Sequence, residues 1–379
     1  MTTPGLLSDL LVLFALCVAV ALVFHRLRLP PIVGFLITGV VSGPYGFGLI
    51  RNVGDVESLA EVGVILLLFT VGLEFSLQDL ARMKRLLFAG GGGQVLLTLG
   101  ATALLAHTLG VAWPVATFLG MLVALSSTAI VLRLYAERDE LATPYGKTAV
   151  GMLIFQDLCI VPMVLLTPIL GGQGRGLSNL GATILEAALL LTAAVVAARL
   201  VVPRILHLAA GTRRREIFLL TIVLLCLGTA WASARVGLSL ALGAFIAGLV
   251  IADSEYSQQA LADVMPLRDV FNSLFFVSIG MLFDIRVVVR SPMLVLGAIV
   301  AVTTLKAVIT TGVSAALGQS VRTAAATGLG LAQIGEFSFV LSAAGSSAGL
   351  LSEHLDQLFL AVAVGTMALT PALVTAAPN

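Results

Sequence analysis

Apolar residues run along this chain in long blocks separated by short polar clusters. The blocks cover residues 6–24, 31–49, 56–75, 86–109, 115–134, 148–170 and 180–201, then 217–234, 236–252, 266–283, 293–317, 323–348 and 355–374. A helix rises 1.5 Å per residue and the hydrocarbon core is about 30 Å thick, so blocks of this length predict membrane-spanning helices. The pattern predicts an all-α polytopic membrane protein with thirteen transmembrane helices. Little more than Arg235 divides the eighth block from the ninth. The first block has no basic region before it and ends in His25, Arg26 and Arg28, the reverse of a secretory signal peptide, so it reads as a first helix.

Composition sharpens the class. Of the 379 residues 59% are hydrophobic and 11% charged, with mean hydropathy +1.09, against about 25% charge in soluble proteins. A net charge of +1 without a basic, aromatic-interleaved cluster gives no footing for nucleic acid. Cys17, Cys159 and Cys226 all fall inside apolar blocks and read as small hydrophobes. There is no phosphate loop, no pair of catalytic carboxylates and no nucleophile with its base, so nothing supports an enzyme. Gly90 to Gly93 reads as close helix packing.

Basic residues segregate. Fifteen of the 21 Lys and Arg follow or end odd-numbered blocks, five follow even-numbered ones, and Lys306 is left inside a block. The positive-inside rule then puts the amino terminus outside and the carboxyl terminus in the cytoplasm of the plasma (inner) membrane.

Two short texts recur. Phe69-Thr-Val-Gly72-Leu-Glu-Phe75 resembles Val277-Ser-Ile-Gly280-Met-Leu-Phe283 at an offset of 208, and Gly34 to Gly39 resembles Gly243 to Gly248 at an offset of 209. The equivalent helices are seven blocks apart, an odd number, so the second copy enters from the opposite face. The expected organisation is a first repeat over 1–175 (helices one to six), a linker helix and cytoplasmic loop over 176–212, and a second, inverted repeat over 213–379 (helices eight to thirteen). Inverted repeats belong to alternating-access carriers, whose sites lie at the midplane on discontinuous helices. Ser126, Ser127 and Thr128 interrupt the fifth block with hydroxyls; adding the offset leads to Gln333-Ile-Gly335-Glu336 in the twelfth. The pair predicts two crossed broken helices whose ends and side chains surround a cation, the alternative being hydroxyls bonded back to their own helices.

Three ionisable groups lie deep in apolar blocks: Asp157, Lys306 and Glu336. An ionised carboxylate at the bilayer centre costs about 2.5–3.5 kcal/mol on insertion scales, so it should face a partner or a wet cavity. Lys306 is too deep to snorkel and should pair with an acid, Asp157 first; a purely structural ion pair is the alternative. Glu336 suits either a half-helix amino end or contact with an ion. Gln156 stands directly before Asp157, a neutral amide beside an acid where a cation and a proton could take turns.

At these positions the chain resembles the membrane domain of Kef-type potassium/proton antiporters, within the second monovalent cation/proton antiporter family. The matching text includes Gly72-Leu-Glu-Phe, Leu125-Ser-Ser-Thr-Ala-Ile-Val, Phe155-Gln-Asp-Leu, Phe276-Val-Ser-Ile-Gly-Met and Gly335-Glu-Phe. The resemblance implies a sodium/proton-antiporter-like fold and a homodimer, with a dimer domain from helices one to three and eight to ten and a mobile core from helices four to six and eleven to thirteen. It implies that Asp157 is the shared cation and proton site, with Gln156 in place of the first acid of two-carboxylate sodium antiporters. Kef-type proteins usually continue into a cytoplasmic nucleotide-binding regulatory domain, which is absent from this sequence.

The expected activity is electroneutral K⁺/H⁺ exchange by alternating access, with no cofactor and with K⁺ or Na⁺ and H⁺ as the transported ions. Asp157 and Lys306 carry the exchange, and Asp157, Gln156, Ser126, Ser127, Thr128 and Glu336 surround the cation. A Na⁺/H⁺ antiporter and a gated K⁺ channel are the competing readings. The expected partners are the lipid bilayer, a second copy of the chain, and a cytoplasmic regulatory domain or subunit.

Overall fold

A computed structural model describes residues 4–27, 30–50, 53–74, 85–172, 196, 200–235 and 240–376. Every element among them is helical. In chain order these are α1 (Pro4–Arg26), α2 (Pro31–Ser42), α3 (Val53–Glu74), a π-helical turn (Arg85–Gly91) running into α4 (Gly92–Thr108), α5 (Trp113–Ala124), α6 (Thr128–Glu137) and α7 (Pro144–Leu170). They continue with α8 (Leu200–Gly211), α9 (Arg215–Arg235), α10 (Leu240–Ala252), α11 (Ser257–Leu282), α12 (Arg286–Arg290), α13 (Pro292–Ala316), α14 (Val321–Gly330), α15 (Phe337–Ser347) and α16 (Glu353–Ala376). Among the described residues nine helical stretches are long and apolar enough to cross a membrane. The seventh predicted block, 180–201, lies almost wholly outside the described residues.

Local chemistry sets several boundaries that hydropathy alone placed elsewhere. Helix α7 begins at Pro144 rather than near 148, because Thr143 caps it by accepting from Gly146 N–H at 3.1 Å and proline suits the first turn. Helix α11 begins at Ser257, nine residues before the predicted block. Its first turns are polar, and Asp263 there is held by Arg215 at 2.8 Å. Helix α2 stops at Ser42, where the chain turns through Gly43 to Gly48. The twelfth block is two helices, α14 and α15, separated by 331–336.

The chain forms two compact units. One comprises residues 1–51, 83–173 and 279–379, the other 52–82 and 174–278. In the second unit α3 crosses α10 at Gly72 and Gly248. A Cβ on Gly72 would sit 2.3 Å from Phe245 O, and one on Gly248 would sit 2.0 Å from Phe69 O, so no larger residue fits either position. In the first unit the end of α11 crosses α2 in the same way: a Cβ on Gly280 would lie 2.1 Å from Leu36 O and 3.0 Å from Gly39 Cα. Gly72 and Gly280 occupy the same place in the two matching texts 208 residues apart, and Gly39 and Gly248 in those 209 apart. The text that recurs in sequence therefore recurs as a helix crossing within each unit.

The first unit carries the buried polar residues of the two breaks, among them Ser126, Ser127, Gln156, Asp157, Lys306 and Glu336. An apolar cluster of Val131, Tyr135, Ala149, Met152, Leu153, Val313, Leu331 and Val374 joins α6, α7, α13 and α16 beside the second break.

Candidate functional site: two crossed helix breaks

The fifth predicted block unwinds at Leu125, Ser126 and Ser127, with Leu125 extended at φ −80°, ψ 144°. A helix that ends inside a membrane leaves its last four carbonyls without intrahelical donors, and no water is at hand to replace them. Here each carbonyl is met from another element. Leu122 O accepts from Ser338 Oγ of α15 at 2.7 Å, and Val123 O from Lys306 Nζ of α13 at 2.7 Å. Ala124 O accepts from Gln94 Nε2 of α4 at 3.2 Å. Leu125 O accepts both from Lys306 Nζ at 2.6 Å and from the Gly335 N–H at 3.1 Å.

Beyond the break α6 starts afresh, and its amino end is served by oxygens. Ser127 Oγ accepts from Ile130 N–H at 3.2 Å, an N-cap. Glu336 Oε1 accepts from Ala129 N–H at 3.1 Å, and Gln156 Oε1 from Ser126 N–H at 2.6 Å. The second break is tied to the first, since Ser126 Oγ donates to Leu331 O at 2.9 Å. Ile334 N–H donates to Thr366 Oγ1 of α16 at 3.2 Å. The two breaks touch closely: a Cβ on Gly335 would fall 2.5 Å from both C and O of Ser126.

The charges follow the helix ends. The carboxyl end of α5 carries partial negative charge and receives an ammonium; the amino end of α6 carries partial positive charge and receives a carboxylate. Lys306 is fully buried and Glu336 nearly so. Asp157 projects from α7 with 8% of its surface exposed, and Thr128 Oγ1 lies 3.1 and 3.0 Å from its two oxygens. A carboxylate beside a hydroxyl at a helix amino end can hold a proton or a small monovalent cation.

All seven residues singled out from the sequence gather at the breaks, in roles that differ in part from expectation. Lys306 was expected on Asp157; its ammonium instead makes its two hydrogen bonds to the α5 carbonyls. Gln156 was expected to offer its carbonyl to a cation; that oxygen accepts from Ser126 N–H, and its NH₂ donates to Gln94 Oε1 at 2.7 Å. Ser126 and Ser127 act on the backbone. Gln94, Ser338 and Thr366 were not foreseen. Of these only Gln94, fully buried, left a signal: a polar amide in the middle of an apolar block.

Comparison with known proteins follows the same lines. The transmembrane sodium/hydrogen exchanger family matches residues 12–376. K(+) efflux antiporter 1, chloroplastic, from Arabidopsis thaliana is 37% identical over 90% of this chain and 29% of its own length. A putative K(+) efflux antiporter, KefB, from Alkalimonas amylolytica is 34% identical over 99% of this chain and 57% of its own length. The chain thus spans between about a third and three fifths of these curated relatives. In fold it is similar to the sodium proton antiporter MjNhaP1 from Methanocaldococcus jannaschii, with a TM-score of 0.71 and 16% identity, covering 97% of this chain and 95% of that one.

Proposed function

The chain belongs to the sodium/hydrogen exchanger family as a Kef-type cation/proton antiporter domain, and on that premise we propose that it exchanges one K⁺ for one H⁺ without net charge movement, Asp157 binding each in turn. The observation that carries this reading is the division of labour among the buried charges. Lys306 and Glu336 are bonded to main-chain groups at the two ends of the broken helix, while Asp157 stands at a side-chain hydroxyl. A single carboxylate that holds either a proton or a monovalent cation is neutral in both loaded states, so one-for-one exchange moves no net charge. Potassium as the cation is supported by the names of the relatives; sodium is the alternative, supported by the fold.

The reading includes thirteen membrane helices in two inverted repeats around a linker helix, which the paired glycine crossings support. It includes a homodimer held by helices one to three and eight to ten, an amino terminus outside and a carboxyl terminus in the cytoplasm of the plasma (inner) membrane, an elevator-like movement of the core, and a regulatory domain or subunit outside this sequence. The test is proton flux in sealed vesicles containing the purified protein. An outward K⁺ gradient should drive proton entry that persists when the membrane potential is clamped at zero. Ohmic K⁺ current without proton movement would identify a channel instead.

A further inference from the structure

Ala124 and Ser126 flank the first break, and two side-chain amides run between the carbonyl of one and the N–H of the other. Gln94 Nε2 donates to Ala124 O at 3.2 Å, Gln156 Nε2 donates to Gln94 Oε1 at 2.7 Å, and Ser126 N–H donates to Gln156 Oε1 at 2.6 Å. Both glutamines are fully buried. The direction of this relay is fixed from its ends. A main-chain carbonyl only accepts and a main-chain N–H only donates. Gln94 must turn its NH₂ to Ala124, which leaves its oxygen facing position 156. That position must then donate to Gln94 and accept from Ser126. An amide does both; an ionised carboxylate has no proton to give.

From this geometry we infer that Gln94 is a positioning residue that enforces neutrality at position 156 and so holds the ion site to the single carboxylate of Asp157. A glutamate at position 156 would set its charge against Gln94 Oε1 unless it kept a proton. With that proton its O–H donates to Gln94, while its carbonyl still accepts from Ser126. The charge count of the site is therefore decided in α4, through a residue whose hydrogen bonds go to Thr98, Ala124 and Gln156. Thr98 Oγ1, which accepts from Gln94 Nε2 at 3.2 Å, steadies the same orientation. The titratable groups around the relay are Asp157 at Thr128, Glu336 at Ala129 N–H, and Lys306 at the Val123 and Leu125 carbonyls. All three stay in place in the variants below and contribute a common background.

The transport consequence rests on the exchange reading above; the stability consequence does not. The experiment compares purified wild type, Gln156→Glu, Gln94→Leu and the double variant, by melting temperature across pH and by exchange in vesicles under an imposed potential. In Gln156→Glu the folded protein keeps the new proton, whereas the unfolded chain releases it above about pH 4–5. Stability relative to wild type is then retained at low pH and lost as pH rises, about tenfold in the folding equilibrium per pH unit. Exchange by this variant stays independent of potential. Adding Gln94→Leu removes the facing oxygen, so the pH-dependent loss shrinks and exchange becomes sensitive to potential. A Gln156→Glu profile parallel to wild type, or identical behaviour with and without Gln94, overturns the inference. If wild type exchanges nothing, the antiport reading falls while the melting profiles still decide the relay. Should Gln156→Glu fail to fold, Gln94→Glu serves: it too must keep a proton to serve Ala124 O, and a pH-flat stability difference from wild type would overturn the inference.

Discussion

The Gly335 N–H donates to the carbonyl of Leu125 across 3.1 Å, joining the second broken helix to the first at their crossing. These are two irregular segments in a region where exposed backbone is tolerated only if protein or trapped water satisfies it. Their mutual hydrogen bond, with the side chains that surround it, lets non-helical chain persist amid apolar helices.

Asp157→Asn should abolish cation-driven proton flux while the protein folds and melts within a few degrees of wild type. The amide fills the same volume but neither releases a proton nor neutralises a cation. On the exchange reading proposed above, proton and K⁺ compete for one carboxylate in the wild type. The apparent K⁺ affinity should therefore fall about tenfold per pH unit once protons dominate the site. Flux in reconstituted vesicles checks both, and activity of Asp157→Asn would remove this residue from the mechanism.

Lys306→Met should destabilise more than Lys306→Gln. Methionine removes both bonds to the α5 end and leaves Val123 O without its donor, and an orphaned buried acceptor costs about 1–3 kcal/mol. Glutamine keeps a donor of nearly the right reach. Melting temperature in detergent orders the three proteins; equal melting of Met and wild type would show that the ammonium does not hold the break.

Thr128→Val keeps the shape of the side chain and removes the hydroxyl that faces both oxygens of Asp157. The apparent KM for K⁺ should change several-fold while the melting temperature stays near wild type, because Ser127, not Thr128, caps α6. A change in stability with an unchanged KM would assign the hydroxyl to packing.

Gly335→Ala places a methyl 2.5 Å from the backbone of Ser126, which cannot rotate away as a side chain would. Overpacking of this kind costs about 1–3 kcal/mol. Thermal melting should fall, and exchange should fall with it, because the methyl pushes the breaks apart. An alanine variant as stable and active as wild type would mean that the crossing has slack.

The breaks could be located in the sequence because hydroxyls, glycine and an acid stand out against apolar text, and the repeat offset linked one to the other. The partner of Lys306 could not. A charge is naturally matched to the nearest opposite charge, but unwinding Leu125 to Ser127 creates carbonyl acceptors that have no letter of their own. The hydrogen bonds of Gln156 were hidden for a related reason: its partners, Ser126 N–H and Gln94, lie 30 and 62 residues away along the chain. The start of α11 was missed because its first turns are polar and answer to Arg215 rather than to lipid.

The four carbonyls at the end of α5 are gripped by side chains and backbone from three other stretches of chain: α4, α13, and the second break with the α15 that follows it. A joint fastened on every strand is a splice, not a hinge. Bending at Leu125 would tear several hydrogen bonds at once, each in surroundings that offer no substitute. On the exchange reading proposed above, the movement that changes the exposure of Asp157 carries α4, the two breaks, α13 and α15 together as one rigid cargo.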